Sequence, residues 1–229
     1  MLVLVQPTSG DGVGFGSTMG WSGAAIDVSV GRRASRETLR GDWTLVHELV
    51  HTTLPNLDED HHWLEEGIAS YVEPLARARA SLVTPARVWR NFVWGMPLGR
   101  PEPGDRGIDR TRTWGRTFWG GALFCFVADL EIRARTHDSK SLDDALRGIV
   151  AAGGSIMTGW SIDRFLEAGD AATGVTVLRE LHDRWATKPE DVDLDAIWKR
   201  LGISGPYDHL VFDDAAPLAR TRIAMTTPR

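Results

Sequence analysis

The chain has little of what would cross-link it or anchor it in a membrane. It contains a single cysteine, Cys125, among 229 residues, so no disulfide can form within the chain. Cys125 lies in the apolar stretch 122–127, which favours a buried small hydrophobe over a nucleophile. No apolar run reaches the roughly 18 residues that a bilayer span requires. These absences argue against a disulfide-stapled fold and against a membrane span.

The chain also lacks an excess of basic residues. Its 26 Lys and Arg against 31 Asp and Glu give a formal net charge of −5, which argues against nucleic acid as a partner. Residues 1–5 are apolar without a basic region and too short for a signal peptide, so we interpret them as a strand. We therefore expect a cytoplasmic protein by default, or a secreted or periplasmic one if a leader has been trimmed. The sequence leaves the oligomeric state open.

What is present is one dense group of metal-ligating residue types. His47 and His51 flank Glu48 and lie four residues apart, so both imidazoles face one side of a helix and can hold a tetrahedral Zn²⁺. Asp42 is a candidate N-cap, and apolar residues at helical spacing precede the motif. Glu48 can take a proton from a water that the metal activates. Such pentapeptides also occur by chance on ordinary surface helices, but the helical context favours the metal site.

A second helix is predicted from about 60 to 80. Glu66 falls in its first turns and faces the first helix if the two pack antiparallel across the loop 55–59. Two histidines and one glutamate leave a coordination position open, which is typical of catalytic rather than structural zinc. We expect one Zn²⁺ per chain, although such ligands also accept Mn²⁺, Co²⁺ or Ni²⁺. His61 and His62 match no ligand spacing, and we interpret them as surface or cleft-rim residues.

The chain divides into a β-rich start and a mainly helical remainder within one catalytic domain. Residues 1–34 show short runs bounded by glycine that are typical of strands, and 35–229 carry helical patterns with a candidate strand in 208–226. The Gly, Pro and Arg-rich stretch 95–115 cannot be regular structure and is a candidate cleft wall or lid, with a flexible surface loop as the alternative. Besides the 60–80 helix, helices are predicted at about 42–54, 117–136, 141–151, 161–168, 174–186 and 193–201.

Three blocks, 47–51, 63–73 and 117–144, carry a similarity to known proteins. In this order they resemble the gluzincin metallopeptidases, and more narrowly the glycyl aminopeptidase family and its relative, the aminopeptidase N family. The resemblance covers about residues 40–150. It implies an α+β, thermolysin-like core, with a small N-terminal β-sheet packed on the metal-site helix, then a mostly helical lobe. It also implies zinc ligands His47, His51 and Glu66, with Glu48 as the catalytic carboxylate.

The second block supplies further candidates. Glu65 stands where relatives often carry Asn. Tyr71 and Glu73 match a helix-borne Tyr-x-Glu in similar proteins, and Glu73 is a candidate partner of a ligating histidine. For Tyr71, a core position is favoured over a catalytic one.

Two departures from the family pattern affect the expected activity. Phe118 occupies the position of a tyrosine that helps to stabilise the oxyanion in relatives, and losing such a donor slows hydrolysis about 10²-fold or more unless another replaces it. Candidate replacements are Trp114, Arg116, Trp119 and Tyr207. The stretch 16–23 lacks the carboxylate that binds the substrate amine in aminopeptidase relatives, although its glycines suit an edge strand that pairs with an extended peptide. Endopeptidase and aminopeptidase activity therefore both stay open.

Three functions remain as hypotheses. The first is a zinc peptidase acting on peptides or proteins, with Glu48 as general base. The second is a degenerate peptidase fold that binds peptide or metal without efficient turnover. The third is a metal-dependent hydrolase of a non-peptide small molecule, since metal-activated water also attacks esters and lactams.

Overall fold

A small sheet opens the chain. The computed structural model describes residues 1–228 and confirms the mixed α+β class, with about 52% helix. The strands are β1 (Leu2–Thr8), β2 (Val13–Met19) and β3 (Ala25–Gly31). Their order is β1-β3-β2, with β1 parallel and β2 antiparallel to β3. β2 therefore forms one edge of this sheet.

Helices make up most of the remaining chain. They are α1 (Arg36–Gly41), α2 (Thr44–His51), α3 (His62–Arg79), α4 (Pro85–Gly95), α5 (Gly121–Arg135), α6 (Leu142–Ala151), α7 (Ile162–Thr173), α8 (Val177–Trp185), α9 (Leu194–Leu201) and α10 (Ala219–Thr226). A π-helical segment, Gly115–Gly120, leads into α5, and 3₁₀ turns occur at Glu59–His61 and Met96–Gly99. Two short antiparallel strands, β4 (Ile203–Ser204) and β5 (Val211–Phe212), lie between α9 and α10. Within residues 1–228, no helix has the length and apolar character of a bilayer span.

Helix α4 has no counterpart among the predicted helices, although its start signals are clear. Thr84 is its N-cap and accepts a hydrogen bond from the backbone N–H of Arg87, while Pro85 occupies the first turn. Val88 and Phe92, four residues apart, are both buried on one face of the helix. The short helix α1, capped by Ser35, was likewise not predicted.

The candidate strand at 208–226 is wrong over most of its length. Only Val211–Phe212 is extended, and Ala219–Thr226 forms α10. Met225 of α10 is fully buried, and its carbonyl accepts a hydrogen bond of 2.9 Å from Arg79 Nε. Burial against α3 decides the conformation here, because tertiary packing overrides weak local propensity.

The core is built around a close crossing of α3 and α5. A Cβ atom on Gly67 would lie 2.3 Å from the backbone carbon of Gly121, so the two helices approach at glycine positions. Cys125, on the same stretch of α5, is fully buried, which confirms it as a core residue. Since Gly67 directly follows Glu66, the crossing fixes the start of α3 against α5.

Candidate metal centre

Helix α2 presents two imidazoles to one point. The nitrogens His47 Nε2 and His51 Nε2 lie 3.2 Å apart, as the four-residue spacing predicts. Trp43 takes the N-cap position, but the backbone N–H of Thr44 donates to the Asp42 carboxylate at 2.8 Å. Asp42 therefore still satisfies a backbone donor at the start of this helix.

Glu66 completes the group from the neighbouring helix α3. Its Oε2 lies 3.1 Å from His47 Nε2 and 3.6 Å from His51 Nε2. Burial would raise the pKa of Glu66, but hydrogen bonds with the two imidazoles hold that pKa well below its usual range. Ligands about 2.1 Å from a tetrahedral Zn²⁺ lie roughly 3.4 Å apart. Two nitrogens and one oxygen at the observed separations therefore fit one such ion.

Glu48 is held beside this group by the edge strand. The hydroxyl of Thr18 on β2 lies 2.7 Å from Glu48 Oε2 and 3.0 Å from the Glu48 backbone oxygen, and the two acceptors share its single proton. A Cβ atom on Gly16 would come within 2.7 Å of the Thr44 side chain and 2.8 Å of Glu48 Cγ. Gly16 therefore lets β2 lie directly against α2 and confine the Glu48 side chain.

A cleft of about 540 Å³ runs between β2 and these side chains. We call it the strand cleft. Residues that line it are Gly14, Phe15, Gly16, Ser17, Thr18, Trp43, Thr44, His47, Glu48, His51, Leu54, Pro55, Asn56, His62, Glu65, Glu66, Phe118 and Ile156. The metal-ligating candidates and Glu48 thus face the same space as the edge strand.

A second cleft of about 760 Å³ adjoins the first. Its wall includes six aromatic side chains, and we call it the aromatic cleft: Trp43, Trp94, Trp114, Phe118, Trp119 and Tyr207. Trp43, His47 and Phe118 line both clefts. A larger depression of about 880 Å³ beside α9 has none of the predicted site residues in its lining.

Most of this aromatic surface is open to solvent. Trp43, Trp94, Trp114 and Tyr207 are 51%, 49%, 60% and 55% exposed, respectively. Large exposed apolar side chains grouped in one cleft mark a binding surface more often than isolated ones do. The segment 95–115, predicted as a cleft wall, supplies Trp114 to this cleft.

The structure places three of the oxyanion candidates at the aromatic cleft and one elsewhere. Trp114, Trp119 and Tyr207 lie in the cleft wall. Arg116 does not, because its side chain is 2% exposed, pairs with Asp105 at 2.9 Å and donates to a backbone carbonyl. Burial lowers the pKa of Arg116. The prediction that Arg116 could donate to the oxyanion is therefore wrong.

Two predicted carboxylates are engaged in structural contacts. Glu65 Oε1 accepts a hydrogen bond from the backbone N–H of Leu57 at 2.7 Å, and Glu65 Oε2 lies 3.0 Å from His62 Nδ1. Glu73 Oε1 pairs with Arg77 at 2.8 Å, so the structure joins it to an arginine instead of to a ligating histidine. Burial raises the pKa of Glu73 despite that pair.

Tyr71, His61 and His62 lie in three different environments. Tyr71 is 1% exposed and its hydroxyl donates to Asp129 Oδ2 at 2.8 Å, as expected of a core residue. His62 is half exposed and lines the strand cleft, with Nε2 3.5 Å from Glu66 Oε1. His61 turns away to a different group, formed with Asp109 and His182.

Sequence reasoning missed the contacts that join distant segments. Thr18 had no signal as a partner of Glu48, because only the folded sheet brings β2 to α2. Asp109 lies in a segment recognised as non-regular, and His182 lies in a predicted helix, but nothing in their spacing links them to His61.

Comparison with protein-family models found no match, and comparison with curated proteins found no significant similarity.

Proposed function

We propose that this chain is a zinc-dependent peptidase with a thermolysin-like, gluzincin-type core. The observation that carries the proposal is the convergence of His47 Nε2, His51 Nε2 and Glu66 Oε2, at 3.1 to 3.6 Å, beside Glu48 and an edge strand. Two neutral imidazoles and one carboxylate are the donor set of catalytic zinc sites. Bound Zn²⁺ would supply Lewis acidity, polarising a substrate carbonyl and lowering the pKa of water.

Glu48 is the general base in this proposal. The carboxylate oxygen Oε2 is held by the Thr18 hydroxyl, which leaves Oε1 to take the proton of the attacking water. Glu48 then passes that proton to the departing amine nitrogen, so one residue serves as base and acid in turn. Because Glu48 is only 8% exposed, bulk water competes little for the carboxylate.

The two clefts suit an extended peptide. An extended substrate can add to the edge of β2 through main-chain hydrogen bonds. The aromatic cleft suits a bulky apolar side chain next to the scissile bond, since its wall includes four indole rings and the phenyl ring of Phe118. Metal group, base and edge strand together support peptide hydrolysis over the other hydrolytic reactions.

A peptide-library digest tests the proposal directly. Zinc-loaded protein is incubated with a mixture of peptides, and the products are read by mass spectrometry alongside the metal content. We expect cleavage products that are absent with a Glu48→Gln preparation of equal metal content. Cleavage that is identical in the two preparations, or no cleavage by the loaded protein, would contradict the proposal.

Phe118→Tyr should increase turnover. Phe118 and His47 both line the two clefts, so a phenol at position 118 can donate to the developing oxyanion, and a well-placed donor is worth up to about 10²-fold. Turnover number is measured on one cleaved peptide, with Phe118→Leu as the control that adds no hydroxyl. If the tyrosine variant gains no rate, another group already fills this role or the natural substrate is not a peptide.

Blocking the substrate amine should have little effect. The β2 strand and the turn after it, 16–23, carry no carboxylate, so a free amine gains no dedicated ion pair there. We expect acetylated and free forms of one peptide to be cleaved at rates within a few-fold of each other. Strict dependence on the free amine, measured with such a matched pair, would assign the anchor to another acid such as Glu65.

Phe118 also favours one alternative, a peptide-binding protein with little turnover, because the phenyl ring leaves that wall of the site without a hydroxyl donor. A metal-dependent hydrolase of a non-peptide substrate is the other alternative. Retained peptide binding without any Glu48-dependent cleavage would favour the first. Glu48-dependent cleavage of an ester or lactam, but of no peptide, would favour the second.

A further inference from the structure

A second group of metal-ligating side chains lies outside both clefts. It comprises His61, directly before α3, Asp109, in the segment between α4 and α5, and His182, on α8. The Asp109 Oδ2 atom lies 3.1 Å from His182 Nε2 and 3.6 Å from His61 Nε2. All three donor atoms lie within 4.8 Å of one another. Side chains from three distant segments of the chain therefore meet at one point.

The donor set repeats that of the first group. Each group offers two imidazole nitrogens and one carboxylate oxygen. In each group, the carboxylate oxygen lies 3.1 Å from one imidazole nitrogen and 3.6 Å from the other. These values bracket the roughly 3.4 Å expected between ligands of a tetrahedral zinc ion. The third pair of donors, the His61 and His182 nitrogens, lies within 4.8 Å, and the centroids of the two rings lie 5.9 Å apart.

Surrounding contacts orient the carboxylate towards the two imidazoles. The indole N–H of Trp63 donates to Asp109 Oδ1 at 2.9 Å, which leaves Oδ2 for the histidines. The backbone N–H groups of Ile108 and Asp109 donate to the carbonyls of Trp185 and Ala186, at 2.8 and 3.1 Å. Metal-ligating carboxylates are held by such outer hydrogen bonds, which fix their direction.

The group is shielded yet reachable. The side chains of His61, Asp109 and His182 are 14%, 16% and 11% exposed, respectively. Their low exposure limits competition from water, while the remaining access leaves a path for an ion.

We propose that His61, Asp109 and His182 form a second binding site for a divalent transition metal, with zinc as the ion best suited to this donor set. The ion joins the start of α3, the segment before α5 and helix α8, and it takes no part in peptide hydrolysis. Its role is to hold these three segments together.

Metal stoichiometry tests this site independently of any activity. After zinc loading and gel filtration, we expect two zinc ions per chain in the wild type and one in Asp109→Asn, because the neutral amide is a poor ligand. Glu66→Ala should also retain one, and the double variant none. His209→Ala, whose side chain is 85% exposed, serves as the matched histidine control and should retain two.

A second readout protects the test against misfolding. Zinc should raise the melting temperature of the Glu66→Ala protein, and His61→Gln added to that background should abolish the rise. His61→Gln also replaces Asp109→Asn in the stoichiometry if the latter fails to fold by circular dichroism. No zinc in the Glu66→Ala protein, or zinc retained in that background after both His61→Gln and Asp109→Asn are tried, would overturn the site.

Discussion

Glu48→Gln is expected to keep the fold and the metal while losing about 10²-fold or more in turnover, the usual weight of general-base catalysis. Glutamine has nearly the same shape, and its amide oxygen can still accept the hydrogen bond that the Thr18 hydroxyl donates to Glu48. What it cannot do is take a proton from water. The turnover number is measured with zinc-loaded protein, and metal content is checked on the same preparation.

Glu65→Gln is the matched control for that substitution. Glu65 lines the same strand cleft and undergoes the same chemical change, but its carboxylate accepts from the backbone N–H of Leu57 instead of facing the reacting water. We expect its turnover to stay within a few-fold of the wild type. Unchanged hydrolysis by Glu48→Gln would remove Glu48 from the mechanism.

Removing a ligand of the first site is expected to abolish hydrolysis together with zinc at that site. Removing a residue that hydrogen-bonds to a metal ligand commonly lowers the affinity for the metal about 10 to 100-fold. Removing a ligand itself should lower that affinity at least as much. His47→Ala and Glu66→Ala should therefore lose most of this zinc in equilibrium dialysis. His62→Ala should retain it, because His62 is half exposed and contacts Glu66 only at 3.5 Å.

Activity separates the two proposed metal sites. His61→Ala should retain hydrolysis, since His61 pairs with Asp109 and not with the first group. If hydrolysis depended on His61 as strongly as on Glu66, the ligand assignment of the first site would be wrong.

The first site could be predicted because its geometry is local. A four-residue spacing on a helix brings His47 and His51 together whatever the rest of the chain does. Glu66 required only the additional expectation that α2 and α3 pack across a short connection. The convergence of these three side chains therefore follows from about twenty residues of sequence and one assumption about packing.

The remaining features depend on contacts between distant segments. Thr18 reaches Glu48 because β2 packs on α2. Asp109 reaches His182 because the backbone at Asp109 is hydrogen-bonded to the backbone at the end of α8. No periodicity encodes such pairs. The helix at Ala219–Thr226 also contains a residue that is buried by distant segments, since Met225 is fully buried and its carbonyl accepts from Arg79.

The contact between β2 and Glu48 has an entropic consequence. Ordering a glutamate side chain costs up to about 2 kcal/mol of rotamer freedom. Here Thr18 and the close approach at Gly16 restrict Glu48 when the chain folds. Under the proposed mechanism, this loss of entropy lowers the free energy of unfolding and does not raise the activation barrier, since a base that is already oriented needs no further ordering. In that mechanism, the edge strand would contribute to the rate even where it touches no substrate.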